Sequence, residues 1–372
     1  MSDNDMKISY PAIYAGTQNS EITFISGTPD LEKVFFKDNA NEVQRRIFIT
    51  DANVASLDCM QSFIQKFDDG VFEDDNLIIL GSGEKYKTIE SVLTIVTAAV
   101  EADYTRKDIF VGIGGGVICD ITAFAASIFK RGAKVQLVPT TLLAMVDASI
   151  GGKTGCDYDN YKNIIGSFFP AQKLYYFPEF VQYLPENQFN SGLAEAFKTA
   201  ILFDSELYDI FKNQSDKINS RDSALLDKII RKCVKAKADI VEQDFTEQGI
   251  RSYLNLGHTF GHALESISGL GNITHGSAVA WGIGRAVDLS YRKEYCRQSF
   301  RDEVYEILKQ YNWETDSVPQ ILQGGSIGER LLNVMHKDKK NITNKVRMII
   351  PKGLIQIEIE EISDEEILAV LK

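Results

Sequence analysis

Between about residues 46 and 180, short runs of β-branched and aromatic residues alternate with stretches of helical periodicity; the runs are RRIFIT, NLIIL, DIFVGIG, KVQLVP and KLYYF. Strands alternating with helices pair in parallel, so this half predicts an α/β layer. After Leu184-Pro185 the pattern changes to long amphipathic segments, with little strand signal until VRMII near residues 346–350. We therefore expect an α/β domain over residues 1–180 and a mainly helical domain over 181–372. The length of 372 residues agrees, since a single core rarely grows so large. Ligands favour the clefts that two domains share.

Hydrophobic residues make up 44% and charged residues 25% of the chain, which is ordinary globular usage. A formal net charge of −12 argues against nucleic-acid or anionic-membrane partners, because both demand a basic footprint. An anionic small molecule remains open, since a few local cations decide that. The five cysteines are scattered, odd in number and without a CxxC pair, which suits a reducing compartment. MSDNDMKISY lacks the basic start and apolar core of a signal peptide, and no run approaches a membrane span. The expectation is a cytoplasmic protein.

The strand DIFVGIG runs into Gly114-Gly115-Gly116 and then a helix expected from about Val117. Glycines let backbone amides approach a pyrophosphate, and a helix N-terminus adds partial positive charge. The spacing is not GxGxxG, because Val117 stands where the last glycine belongs. Asp51 and Asn53 follow RRIFIT, and Glu84 and Lys87 follow NLIIL, at strand ends of the kind that bind ligands in α/β sheets. PTTLLAMVDASIGGKTG sets Thr140, Thr141, Asp147, Gly151, Gly152 and Lys153 in an apolar run, so Asp147 and Lys153 could face one concave site. Lys162-Asn163 follows before the apolar IIGSFF.

Three of the four histidines lie between residues 258 and 275. In a helix His258, His262 and Glu265 share one face at i, i+4 and i+7. Together with His275 they offer neutral imidazoles and a carboxylate, the donor set of an open catalytic zinc site. Spacing nominates both His258 and His262 as ligands and leaves the carboxylate open between Glu265 and Glu195, which stands three residues before Lys198. Lys237 occupies an inward position of the stripe Ile230, Val234, Lys237, Val241, where an ammonium needs an anion or a snorkelling path. Arg251 and Asn255 would point into the same pocket if the histidine helix extends backward.

GGGVICD, PTTLLAMVDASIGGKTG, YKNIIGSFF, LPENQFNSGLAEAFK, KAKADIVEQD, GIRSYLNLGHTFGHALE, HGSAVAWGI and KDKKN occur in the order seen in 3-dehydroquinate synthases. The chain resembles that family from about residue 46 to 350. The resemblance implies an N-terminal α/β domain that binds NAD and a mainly helical C-terminal domain that binds metal and substrate. It implies Glu195, His258 and His275 as ligands to zinc, with cobalt as the alternative ion, and places His262 at the substrate phosphate. Asp51, Asn53, Glu84, Lys87, Gly115, Gly116, Val117, Asp120, Thr140, Thr141, Asp147 and Lys162 match NAD-holding positions, Asp147 also reaching the reacting region. Arg131, Lys153, Asn163, Lys198, Lys237, Arg251, Asn255 and one of Lys339 or Lys340 match the polar shell around the substrate. Arg131 would serve the neighbouring subunit's site, which implies a homodimer. The chain departs from its relatives in CDYDN, between GGKTG and YKN.

The implied reaction closes 3-deoxy-D-arabino-heptulosonate 7-phosphate, an anionic sugar phosphate, into 3-dehydroquinate with loss of phosphate, using NAD catalytically. Sibling cyclases that make an inosose, such as 2-deoxy-scyllo-inosose synthase, or a valiolone share the fold, metal and cofactor. The valiolone-forming ones replace the equivalents of Asn255 and His262, and the inosose-forming ones that of Asn255, whereas both stand here. A glycerol-type metal-dependent dehydrogenase has a different motif set and would yield net NADH.

Overall fold

The computed structural model describes residues 5–10, 19–35, 44–72, 74–159, 161–269, 271–322, 324–338 and 345–372. The backbone forms two compact units, one from Met1–Leu184 and Lys237–Thr246, the other from Pro185–Ala236 and Glu247–Lys372.

The first unit contains β1 (Asp5–Ser9), β2 (Asn19–Phe24), β3 (Arg46–Asp51), β4 (Asn76–Leu80), β5 (Ile109–Gly114), β6 (Lys134–Pro139), β7 (Lys153–Tyr158), β8 (Tyr161–Phe168) and β9 (Lys173–Tyr176). Seven of these make one sheet in the order β1-β2-β9-β6-β5-β3-β4, and β7 and β8 form a separate hairpin. Every pairing in the large sheet is parallel except that of β1 with β2, so the α/β layer read from the five apolar runs is present. β5 is buried at all its residues, as a central parallel strand must be when both faces are covered. β1 was not anticipated because only one of its five residues is buried, which leaves almost no alternation to detect.

The chain leaves β3 for β4 on one side and later leaves β5 for β6 on the other. Such a reversal opens a crevice at the carboxyl ends of the strands, the usual ligand position in a parallel sheet. The helix Gly116–Ile128 starts at that edge, one residue earlier than its sequence suggested.

The second unit is mainly helical, with the helices Glu186–Phe203, His258–Ser268, His275–Arg292, Gln298–Gln310 and Ile327–Asp338. The expected VRMII strand is β10 (Lys345–Gly353), paired antiparallel with an unanticipated β11 (Gln356–Ser363). Phe260, Leu264, Trp281, Leu331, Met335, Val346 and Ile350 pack one core between these helices and the hairpin. Glu186–Phe203 is buried continuously from Ser191 to Leu202, so it is an internal helix and not an amphipathic surface one. Its terminal carbonyl at Ile201 accepts from the amide of Ile355 in the β10–β11 turn, 2.9 Å away. Among the described residues no helix is long and apolar enough to cross a membrane.

Three of these helices meet backbone to backbone. A Cβ on Gly276 would lie 2.0 Å from the Ser191 carbonyl oxygen, and the Gly276 amide donates to Ser191 Oγ at 3.0 Å. A Cβ on Gly282 would lie 2.0 Å from the carbonyl oxygen of Gly257, itself at φ +80° where side chains are strained. Gly276→Ala must push Glu186–Phe203 and His275–Arg292 apart. We expect it to destabilise the metal-free protein by about 1–3 kcal/mol, as overpacking does. Gly325→Ala, with open space around it, should leave the thermal midpoint unchanged. Equal midpoints for the two variants in a thermal melt would contradict the close approach.

Candidate functional site

The close approach in the second unit sets the positions of three side chains. Glu195 lies in the middle of the internal helix, His258 is the first residue of its helix, directly after Gly257, and His275 is the first residue of the next, directly before Gly276. Their ligand atoms all lie within 4.8 Å of one another. Oε1 of Glu195 is 3.3 Å from His275 Nε2 and 3.7 Å from His258 Nε2. The Nδ1 atoms face away: that of His258 is 3.2 Å from the Leu256 carbonyl and that of His275 is 3.1 Å from Glu265 Oε2. His262, Glu265 and His275 form a second group within the same 4.8 Å limit.

Glu195 is 1% exposed and lies 2.5 Å from the ammonium of Lys198, equally buried one turn along. Neither carboxylate oxygen is met by an aligned hydrogen-bond donor. Burial pushes this carboxyl up, yet Lys198 and the two imidazoles hold it well below the usual carboxylate range. Burial and then Lys198 press His258 well below its ordinary value, so it is neutral, as a metal ligand must be. Burial opposes the charged form of His275 too, but the carboxylates of Glu195 and Glu265 on either side outweigh it and push the metal-free imidazole up to about 10, so an ion that binds there must displace its Nε2 proton. A buried anion without aligned hydrogen bonds, facing two imidazole nitrogens, fits a divalent ion of the zinc or cobalt kind.

Of the two ways to compensate an inward ammonium, an anion or a snorkelling path, Lys237 takes the first. Lys237 does not snorkel: it is buried and donates to Asp147 Oδ1 at 2.7 Å and to the Asp147 carbonyl at 2.5 Å. Asp147 sits in a single π-helical turn, Ala144–Ala148, a distortion frequent at functional sites. The histidine helix does not extend backward: Ile250–Asn255 is a separate 3₁₀ turn, cut off by Gly257. Arg251 is buried there, and Asn255 donates to Glu247 Oε1 at 2.6 Å, a partner the sequence did not suggest. Lys153, Lys162 and Arg131 are exposed. Lys130 and Arg131 both hold positive φ, 46° and 68°, a strained turn that offers the Arg131 side chain to solvent. Lys339 and Lys340 lie outside the described residues.

The candidate nucleotide residues line the carboxyl edge of the first unit's sheet. Asp51 ends β3 and caps the turn after it, one oxygen accepting from the amides of Asn53 and Val54 and from Ser82 Oγ. Gly115 caps Gly116–Ile128 without a side chain, which leaves the first-turn amides of Gly116 and Val117 open to an anion. Cβ atoms at Gly115 and Gly116 would crowd Thr141 and Ala148 at 2.9 and 3.3 Å, so glycine there also keeps the next loop close. Thr140, at the end of β6, is buried. Glu84 and Lys87 follow β4, and Lys87 lies 2.6 Å from both Asp120 Oδ2 and Asn163 Oδ1. Burial would lower the Lys87 ammonium, but Asp120 and Glu84 raise it above its usual value. Asn163, at φ 53°, takes its place through its amide on Asp157, a residue of the divergent CDYDN loop that the sequence had not singled out.

A family profile described as 3-dehydroquinate synthase N-terminal matches residues 77–191, and one described as 3-dehydroquinate synthase C-terminal matches 192–341. A 3-dehydroquinate synthase of Acidithiobacillus ferrooxidans is 38% identical over 308 residues, 82% of each chain. One from Shewanella sp. (strain MR-4) is 33% identical over 348 residues, 93% of this chain and 91% of the relative. Among solved structures, 2-deoxy-scyllo-inosose synthase complexed with carbaglucose-6-phosphate, NAD+ and Co2+ superposes with a TM-score of 0.83 at 22% identity over 99% of both chains. The fold also matches 2-epi-5-epi-valiolone synthase from Streptomyces hygroscopicus subsp. jinggangensis 5008, with a TM-score of 0.82 at 22% identity over 98% of both chains.

The geometry predicts one tightly held divalent ion per chain. After dialysis against zinc and then metal-free buffer, elemental analysis should find one equivalent in the wild-type protein and almost none in Glu195→Ala. Retention of a full equivalent by the variant would remove Glu195 from the ligand set.

Proposed function

The chain belongs to the 3-dehydroquinate synthase family, and from that premise we propose that it converts 3-deoxy-D-arabino-heptulosonate 7-phosphate to 3-dehydroquinate and phosphate. The observation that carries the reading is the convergence of Glu195, His258 and His275 in a chain that keeps both Asn255 and His262, where sibling cyclases differ. When bound, NAD would take and later return a hydride, and zinc or cobalt would act as a Lewis acid on the substrate's alcohol and ketone oxygens.

The protein's own residues do the rest. Glu195, His258 and His275 would hold the ion, with Lys198 balancing the carboxylate. Residues 1–180 would form the NAD domain, the open amides of Gly116 and Val117 taking the pyrophosphate and Asp51 the far end of the nucleotide. Residues 181–372 would carry metal and substrate. Oxidation of the substrate's secondary alcohol acidifies the neighbouring C–H, so that its proton can leave as phosphate is expelled. His262 is the proposed manager of the phosphate's proton, since an imidazole can both accept and donate one. Lys153, Lys198, Lys237 and Arg251 would neutralise the carboxylate and phosphate without making the protein basic overall. Ring opening and the intramolecular aldol closure then depend on the orientation of one flexible molecule.

We propose further that the chain works as a homodimer, Arg131 serving the neighbouring site from its strained turn, and that it resides in the cytoplasm. No disulfide joins the five cysteines, all of them among the described residues, which supports a reducing compartment.

Phosphate release should require the heptulosonate phosphate, zinc and only catalytic NAD, with no build-up of NADH. NADH accumulating in step with substrate would instead mark a dehydrogenase. His262→Ala should slow turnover by about 10²–10⁴ with metal content unchanged, the range of a lost acid–base group; undiminished turnover would take His262 out of the proton path.

A further inference from the structure

His275 stands between two carboxylates, only one of which the metal assignment uses. Glu195 Oε1 lies 3.3 Å from its Nε2, and Glu265 Oε2 lies 3.1 Å from its Nδ1. The second oxygen belongs to the His258–Ser268 helix, on a side chain 10% exposed. An imidazole can give a lone pair through one nitrogen only if the other carries its proton, and whatever accepts that proton fixes both tautomer and ring direction.

We propose that Glu265 is a positioning residue that accepts a hydrogen bond from the Nδ1–H of His275 and so leaves the Nε2 lone pair for the ion. This rests on Glu195, His258 and His275 being the ligands. The mirror arrangement, with Glu265 as ligand and Glu195 as acceptor, would use the group His262, Glu265 and His275. Two observations disfavour it. Glu195 is the more buried carboxylate, and beyond its ion pair with Lys198 neither of its oxygens has an aligned hydrogen bond. His258 also turns its Nε2 to Glu195, while its Nδ1 rests on the Leu256 carbonyl. Both imidazoles thus have an acceptor behind Nδ1 and the same carboxylate in front of Nε2. The acceptors differ, a carbonyl dipole behind His258 and a full negative charge behind His275, which makes His275 the stronger electron donor of the two.

The test compares wild type, Glu265→Ala, Glu265→Gln and Glu195→Ala. Zinc affinity is read by competition with a chromophoric chelator. In the cobalt-loaded protein, proton NMR reads the hyperfine-shifted, exchangeable imidazole N–H signals, one from each histidine ligand. Glu265→Ala should bind one zinc about 10- to 100-fold more weakly, as loss of an outer-shell carboxylate does. Its His275 N–H signal should broaden by exchange with water while that of His258 stays sharp. Glu265→Gln retains an acceptor and should lose less. Affinity within about twofold of wild type in Glu265→Ala, with both signals intact, would overturn the proposal. So would a collapse of both Glu265 variants to the level of Glu195→Ala, which would make Glu265 a ligand. If Glu265→Ala does not fold by circular dichroism, Glu265→Gln decides: unchanged affinity and an unshifted His275 signal sink the idea. Wild-type protein that takes up no zinc would instead defeat the ligand assignment itself.

Discussion

A carboxylate taken out of water must be compensated where it lies, and the second unit is organised around that requirement at Glu195. The side chain is 1% exposed in the middle of a helix buried on every side. Isolated, such a charge would cost several kcal/mol or take up a proton. Lys198, one turn away on the same helix, supplies the opposite charge, and two imidazole nitrogens close the remaining side. The flanking helices reach that position because Gly257 and Gly276 let backbone touch backbone. The packing and the electrostatics are therefore one problem: side chains at those two glycines would move the imidazoles away from the anion that needs them.

The first unit handles buried charge in another way. Lys87 with Asp120, and Lys237 with Asp147, are pairs that are complete as they stand, each held by hydrogen bonds as well as attraction. Lys87 also ties together the turn after β4, the glycine-led helix and the β7–β8 hairpin. A rim of satisfied pairs and open helix amides can receive an anionic ligand without rearranging its own charges. The Glu195 cluster is the counterpart, an anion with its hydrogen bonding unfinished. One site is suited to a nucleotide and the other to a cation.

Much of this was legible in the residues. The five central strands show as apolar runs because parallel strands are covered on both faces, and the glycine turn and the three clustered histidines are local signals. Less legible was anything decided by contacts distant in sequence. β1 is too exposed to alternate. Spacing nominated His262 beside His258 and could not choose between Glu195 and Glu265, since the choice depends on which ring nitrogen faces which helix. Lys237 read as an oddity on an apolar stripe because its partner, Asp147, is 90 residues away. Gly257 and Gly276 are single glycines whose purpose appears only with the neighbouring helix in place.

The backbone contact at Gly257 and Gly276 also bears on which ions the chain can discriminate. Helices separated by side chains can slide as those side chains change rotamer, whereas helices in direct contact have little play. The gap between the two imidazoles and the carboxylate is therefore set before any ion arrives. Selection then falls on ionic radius and donor preference: small, nitrogen-tolerant cations match a gap of this size, while calcium, which wants six or more oxygens at longer range, meets a cage that cannot widen to suit it.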